Sequence, residues 1–177
     1  MSREYVLITA LKTRDAVAAT AEYTLKHEMD YGHVLKGLTR KDIWNVILAG
    51  DSDDDPMAVM EHLARSTRVF VNPNKHLWEI RRPGELESVQ EDEDLYRVNA
   101  IVRSREDRHG DAALKTLVDL YDMGGRVMSV YSGVLWTLDI AAVSLFDARD
   151  WARRMVETRH RQEGLLANPH YETVDIL

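Results

Sequence analysis

The sequence predicts an α+β protein made of two tandem ferredoxin-like repeats, each with the element order β-α-β-β-α-β, which together form a pseudo-dimer. One observation is that residues 72–80 and 168–176 both begin with Asn-Pro and end with Ile at identical spacing. Another is that residues 43–49 and 135–141 align as apolar, Trp-containing strands. Strand and helix patterns also follow the same order in both halves. An internal repeat of this kind constrains the fold before any single residue does.

The first repeat opens with a predicted strand and a predicted helix. Residues 4–11 are rich in β-branched and aromatic side chains, which favours a strand. A helix is predicted over residues 15–29, with Thr13 as its candidate N-cap. Val17, Ala21 and Leu25 are spaced four residues apart, so we expect them to lie on one apolar helix face.

The rest of the first repeat is predicted to be a hairpin, a helix and a closing strand, at residues 34–38 with 43–49, 56–70 and 75–81. The polar residues 40–42 would form the turn of the hairpin. Asp55 can cap the second helix, and Pro56 suits its first position. Asn72 and Pro73 would end that helix before the closing strand.

Residues 83–94 form the predicted linker, because they contain Pro, Gly and a block of acids with little to bury. This places the first repeat at residues 1–82 and the second at residues 95–177. The second repeat is predicted to contain a strand, a helix, a hairpin, a helix and a final strand, at residues 95–102, 111–123, 127–131 with 134–142, 146–166 and 171–176. Ser132 and Gly133 would form the turn of its hairpin.

Composition excludes several classes of function. The chain of 177 residues has a formal net charge of -7, whereas nucleic-acid binders carry a basic face. It has no cysteine, so disulfides and thiol chemistry are excluded. No signal pattern or membrane-spanning run is present in the sequence, so we expect a cytoplasmic protein that binds neither nucleic acid nor membrane.

Several features of the second repeat carry a resemblance to a known family. They are the opening strand, Ala167-Asn168-Pro169 between a predicted Leu-rich helix and an acidic terminal strand, the loop 103–107, the helix start 111–114, and the predicted Val-rich hairpin 129–136 around Gly133. In these features the chain resembles the small PurS subunit family of phosphoribosylformylglycinamidine (FGAM) synthase. The resemblance covers the second half directly and the first half through the internal repeat.

The resemblance implies a non-catalytic accessory subunit of an ATP-dependent amidotransferase complex in de novo purine biosynthesis. Its implied partners are the large synthetase subunit and the glutaminase subunit, which it would bridge as a homo-oligomer. It implies no catalytic residue, cofactor or metal in this chain. A tandem chain would supply both halves of a subunit dimer covalently, which raises the effective concentration of one half for the other.

Two departures from the family leave other functions open. The family has a single copy of about half this length, and its Asp-Pro loop appears here as Asp107 to Gly110 without the Pro. The alternative is a regulatory domain of ferredoxin-like type that senses a small molecule, either a nucleotide or an amino acid. A third hypothesis is a small enzyme of the dimeric α+β barrel type. The fold class does not distinguish these hypotheses, because one fold can serve many functions.

The most site-like local cluster comprises Arg103, Arg105, Arg108 and His109. These residues precede a predicted helix N-terminus, where backbone N–H groups and the helix dipole favour an anion. The cluster therefore predicts a contact with an anion or a partner. The alternative is an ordinary charged loop, balanced by acidic neighbours.

Trp44 and Trp136 occupy equivalent strand positions. They can be buried in the core or can anchor a symmetric interface, since Trp is favoured at interfaces. We interpret the basic stretch around Arg153, Arg154 and Arg159 as a solvated helix face. The alternative is that an acidic partner docks there.

Two patterns resemble metal sites and are interpreted otherwise. His27 and His33 are six residues apart, whereas a helical zinc pair needs His residues one turn apart. The acidic run 51–55 resembles a calcium loop, but Pro56 stands where the loop needs Gly. We interpret this run as a helix cap that also aids solubility.

Overall fold

The computed structural model describes residues 3–50, 54–160 and 163–177, so most of the acidic run, at residues 51–53, lies outside it. The described residues form an α+β fold with antiparallel strands and four α-helices. The strands are β1 (Arg3–Leu11), β2 (Leu35–Leu48), β3 (His76–Arg81), β4 (Val89–Asp92), β5 (Leu95–Ser104), β6 (Val127–Ala141) and β7 (Glu172–Ile176). The helices are α1 (Ala16–Tyr23), α2 (Pro56–Ser66), α3 (Arg108–Tyr121) and α4 (Leu145–Val156). Within the described ranges, none of the helices has the length and apolarity needed to cross a bilayer.

Both predicted hairpins are wrong, because each is a single long strand. Strand β2 has 14 residues and runs through the predicted turn at 40–42, with Asp42 paired to Thr9 of β1. The sequence Arg-Lys-Asp lacks the Asn-Gly or Asp-Gly pair that a tight hairpin turn favours. Strand β6 has 15 residues. Its Ser132 N–H donates to the Asp107 carboxylate at 2.6 Å, which holds the backbone extended where a turn was predicted.

The described chain divides into two compact units that do not coincide with the halves of the sequence. Unit 1 and unit 2 each take segments from both halves. Unit 1 comprises Met1–Thr13, Lys41–Glu85 and Glu106–Gly133, and unit 2 comprises Arg14–Arg40, Leu86–Arg105 and Val134–Leu177. Strands β2 and β6 are therefore each divided between the units: one part of each strand belongs to unit 1 and the other part to unit 2.

Unit 1 has the strand order β3-β1-β2-β6 and carries helices α2 and α3. Strand β1 pairs Leu7 with Trp44 of β2 and Thr9 with Trp78 of β3. Helices α2 and α3 pack on one core with these strands. Its buried members are Tyr5, Leu7, Val46, Leu48, Met60, Leu63, Ala64, Phe70, Val71, Ala113, Leu117, Met123, Val127 and Val130.

Unit 2 places β6 between β2 and β5, and β5 pairs with both β4 and β7. Helix α1, from the first half of the sequence, packs here with α4 from the second half. Their buried contributions to this core are Ala18, Ala21, Ala148, Ala152, Met155 and Val156. The predicted apolar face of α1 is wrong at Val17, which is 59% exposed and lines an open groove. The segment predicted to be a linker contains β4, and its Leu86 is buried.

The helix ends differ from the sequence-based expectation in most cases. Asp15, and not Thr13, caps α1, since its carboxylate accepts from the N–H of Val17 at 2.8 Å. The predicted cap of α2 is confirmed, because Asp55 accepts from Met57 and Pro56 is the first helical residue. Helix α4 ends at Val156, ten residues before the predicted end, because the chain then turns back and forms bridges with its own later residues.

Candidate functional site

Unit 2 contains an open groove of about 580 Å³, which we call the α1 groove. Helix α1 and the residue that follows it form one wall, Trp136 of β6 contributes an indole, and the loop after α4 adds two leucines. The lining residues are Ala16, Val17, Thr20, Ala21, Thr24, Trp136, Leu165 and Leu166. Side chains of this kind form a surface of methyl groups around one aromatic ring.

Thr20 and Thr24 each contribute a hydroxyl to the α1 groove. Thr20 donates its Oγ1 hydrogen to the Ala16 carbonyl at 2.8 Å, so its oxygen lone pairs remain as acceptors. None of the described residues that line the groove is charged. The groove therefore suits an uncharged group with a hydrogen-bond donor.

Helix α1 changes its winding at the groove. After Tyr23 the chain continues as a π-helical turn, Thr24–Glu28, in which the Met29 N–H donates to the Thr24 carbonyl at 3.0 Å. Such turns are rare and are frequently found at functional sites. Thr24 is the first residue of this turn and also lines the groove.

The predicted cations Arg103 and Arg105 lie in unit 2, and each has its own partner there. Arg103 Nη1 lies 3.1 Å from Asp175 Oδ2 of β7. Arg105 Nη2 donates to the Pro169 carbonyl at 3.1 Å. These two contacts join the end of β5 to strand β7 and to the turn that precedes β7.

Arg108 and His109 are in unit 1, in the first turn of α3, and both are exposed. Arg108 pairs with Glu106 at 3.0 Å. The position that an anion would take at this helix N-terminus holds the Asp107 carboxylate, which accepts from the Gly110 N–H at 2.9 Å and from Ser132. The N-terminus of α3 is thus capped by a carboxylate of this chain, which is the usual role of an N-cap Asp.

The two strand tryptophans differ in their surroundings. Trp136 is only 5% exposed and belongs to the core of unit 2. Trp44 is half-buried in unit 1, where its ring centroid lies 5.0 Å from that of Phe70. Among the described residues, the Trp44 indole Nε1 is the buried side-chain atom that lacks a hydrogen-bond partner.

The basic residues at the end of α4 are paired with carboxylates. Arg154 lies 2.8 Å from Asp150 and also stacks over the Trp151 ring at 5.3 Å. Arg153 and Arg159 both face Glu157, at 3.9 and 3.2 Å. Much of the positive charge predicted for docking is thus balanced locally.

An aromatic cluster in unit 2 contains the titratable group Tyr31. Its ring meets Trp151 edge-on at 6.3 Å. Burial raises the pKa of the Tyr31 hydroxyl, and the negative charge of Glu163 adds to this, while Arg154 opposes it. The phenol is therefore kept neutral.

Within the part of the chain that the structure describes, no group of three or more His, Cys, Asp or Glu side chains is placed to hold a metal ion. Sequence reasoning missed the α1 groove. The sequence does contain a pattern that indicates such a groove. Ala16, Thr20 and Thr24 are small residues four positions apart, so they place small side chains along one face of the helix. Comparisons of the chain with protein-family models, curated proteins and solved structures found no match in any of the three.

Proposed function

We propose that this protein is a non-catalytic accessory subunit that resembles PurS and bridges the synthetase and glutaminase subunits of FGAM synthase in the cytoplasm. The finer fold belongs to this proposal: residues 1–82 and 95–177 are two tandem ferredoxin-like, PurS-like repeats that form a covalent pseudo-dimer. In this role the chain supplies interfaces to its partners and no catalytic groups.

The observation that carries the proposal is the exchange of helices between the halves of the sequence. Helix α1 of the first half belongs to unit 2, and helix α3 of the second half belongs to unit 1. Suppose that two copies of a subunit exchange elements in a dimer and are fused into one chain. Each compact unit of that chain would then contain elements of both copies. This supports the pairing that a tandem PurS-like chain requires.

An exposed apolar pair supports an interface role. Val143 and Phe146 flank the Ser144 cap of α4 and are 86% and 84% exposed. Contiguous exposed apolar surface is typical of interaction sites. We expect a partner subunit to cover this pair.

The test is reconstitution with the large synthetase and glutaminase subunits from the same organism. Glutamine-dependent FGAM formation should require this chain, and the three proteins should co-elute on a sizing column. Phe146→Asp should lower activity and co-elution by at least about tenfold, since it places a charge in the interface. Leu120→Asp, at a 75% exposed position of α3, is the matched control and should behave like the wild type. Equal activity without the chain, and no complex, would refute the proposal.

A further inference from the structure

Strand β3 forms one edge of the sheet in unit 1. Within the described residues it pairs with β1 and ends the strand order. The Lys12 N–H donates to the Lys75 carbonyl at 2.8 Å, which fixes the residues of β3 that bond to β1, because an antiparallel ladder alternates. The backbone N–H and C=O groups of His76, Trp78 and Ile80 therefore point away from β1, toward a place that a further strand can take.

The outer edge of β3 carries neither a bulge nor a proline, two features that keep edge strands from pairing with other chains. Its register with β1 is continuous from Leu11 to Val6. Strand β4, an edge strand of unit 2, differs, because its register shifts between Gln90 and Asp92. Leu77 of β3 is also 59% exposed. The edge of β3 is thus suited to pairing with another strand.

The charges on and beside β3 restrict how two copies of this strand can pair. In an antiparallel pair of identical strands, a two-fold axis passes by the same residue of each copy. An axis at Glu79 sets Glu79 against Glu79 of the second copy. An axis at Trp78 sets Lys75 against Arg81. Like charges directly opposite each other destabilise a strand pair, so both registers are unfavourable.

A register centred on Ile80 conflicts with the turn that follows β3. It requires hydrogen bonds from the backbone of Arg82, which then lies opposite Trp78. The Arg82 N–H donates to the Glu85 carboxylate at 3.1 Å, and the Arg82 carbonyl accepts from the Glu85 N–H at 3.0 Å. Pairing in this register would therefore break the turn.

We propose that β3 pairs antiparallel with β3 of a second copy of the chain, about a two-fold axis at Leu77. This register sets Leu77 against Leu77 of the second copy, so the two exposed side chains cover each other. It also sets Lys75 of each copy against Glu79 of the other, which is a pair of opposite charges. The Glu79 side chain is accessible for this contact, because it is 36% exposed while it binds Lys41 and Arg81.

Backbone hydrogen bonds complete the pairing. The outward N–H groups of Trp78 and Ile80 face the carbonyls of His76 and Asn74 of the second copy in this register. The sheet of unit 1 then continues from one copy into the other. This inference goes beyond the bridging role, because it is tested on the isolated chain, and either result can fail without the other.

The first test is cross-linking, because the chain has no cysteine of its own. In a non-hydrogen-bonded antiparallel pair the facing Cα atoms are about 4.5 Å apart, which is within the span of a disulfide. Leu77→Cys should therefore form an interchain disulfide under mild oxidation, seen as a dimer on a non-reducing gel. The matched control is Leu120→Cys, at a 75% exposed position of α3 in the same unit, which should cross-link far more slowly.

The second test is sedimentation equilibrium of the full chain, which should give a dimer. Leu77→Lys places two lysines face to face at the axis, so it should raise the dissociation constant at least about tenfold. Lys75→Glu, which then faces Glu79, should also weaken the dimer. Leu120→Lys is the matched control and should dimerise like the wild type. Circular dichroism should show that these variants fold, since the three side chains are exposed.

Three results would each overturn the proposal. One is a wild-type chain that stays monomeric at about 100 μM. Another is Leu77→Cys that cross-links no faster than Leu120→Cys. The third is folded Leu77→Lys that dimerises as tightly as Leu120→Lys, since the copies would then associate through another surface.

Discussion

At the scale of single residues, Gly110 of α3 lies close to the backbone of β6. A Cβ built there would lie 2.5 Å from the Val130 carbonyl oxygen and would also overlap Oδ2 of Asp107. Gly110→Ala should therefore lower the free energy of unfolding by about 2 kcal/mol, since backbone atoms cannot move aside cheaply. Urea denaturation measures this change.

The control for Gly110 is Gly84→Ala, because a Cβ at Gly84 meets nothing within 4 Å. Its unfolding free energy should stay within about 0.5 kcal/mol of the wild type. Equal effects of the two substitutions would mean that α3 does not approach β6 as closely as described.

Glu79 of β3 provides a pH-dependent contribution to stability. Burial would raise the pKa of its carboxyl, but hydrogen bonds and charge from Arg81 and Lys41 outweigh this and lower it. A lowered pKa in the folded state gives stability that is present above the ordinary glutamate pKa of about 4.3 and is lost as the pH falls through the folded-state value.

Glu79→Gln should consequently destabilise the protein at pH near 7, by at most about 1 kcal/mol because the ion pairs are partly exposed. The difference from the wild type should shrink as the pH falls below about 4. Thermal unfolding at several pH values tests this, and a difference that stays constant with pH would contradict it.

At the scale of elements, the long strands β2 and β6 replace the hairpins that local patterns favoured. Strand β2 continues through residues 40–42, and Asp42 pairs with Thr9. Amide hydrogens of residues 42–47 should exchange slowly, as in a central strand, and a steep loss of protection beginning at residues 40–42 would indicate a turn instead. Hydrogen exchange resolved by NMR distinguishes the two.

How far the sequence predicts each element depends on how local its cause is. The cap of α2 was predictable because Asp55 and Pro56 act on their own helix. The course of β6 was not, because Asp107, 25 residues away, holds Ser132. Helix α4 stops at Val156 for a similar reason, since the following segment pairs Glu157 with Ala167. Hydrophobic periodicity does not report such contacts.

The residues of the candidate site also depend on contacts with distant parts of the chain. Arg103 and Arg105 formed a cluster with Arg108 in the sequence, yet their partners on β7 and the preceding turn become visible only in the fold. The α1 groove was not predicted from the sequence, because its lining residues come from three separate segments of the chain. Its small-residue spacing on α1 was readable, but the indole of Trp136 beside it was not.

At the scale of the whole molecule, the central claim is that each compact unit takes residues from both halves of the sequence. The core of unit 1 includes Ala113 and Leu117 of α3, and that of unit 2 includes Ala21 of α1 and Leu25 of the π-helical turn that follows α1. Leu25 and Leu117 are fully buried, so either core would lose large contacts without the other half.

The most direct measurement is fragment complementation. Residues 1–85 and 86–177 would be prepared separately, then mixed, and followed by circular dichroism and sedimentation. We expect that neither fragment is a folded monomer, and that the equimolar mixture regains the cooperative unfolding of the intact chain. A stably folded monomer of residues 1–85, with β2 bent into a hairpin, would contradict the account.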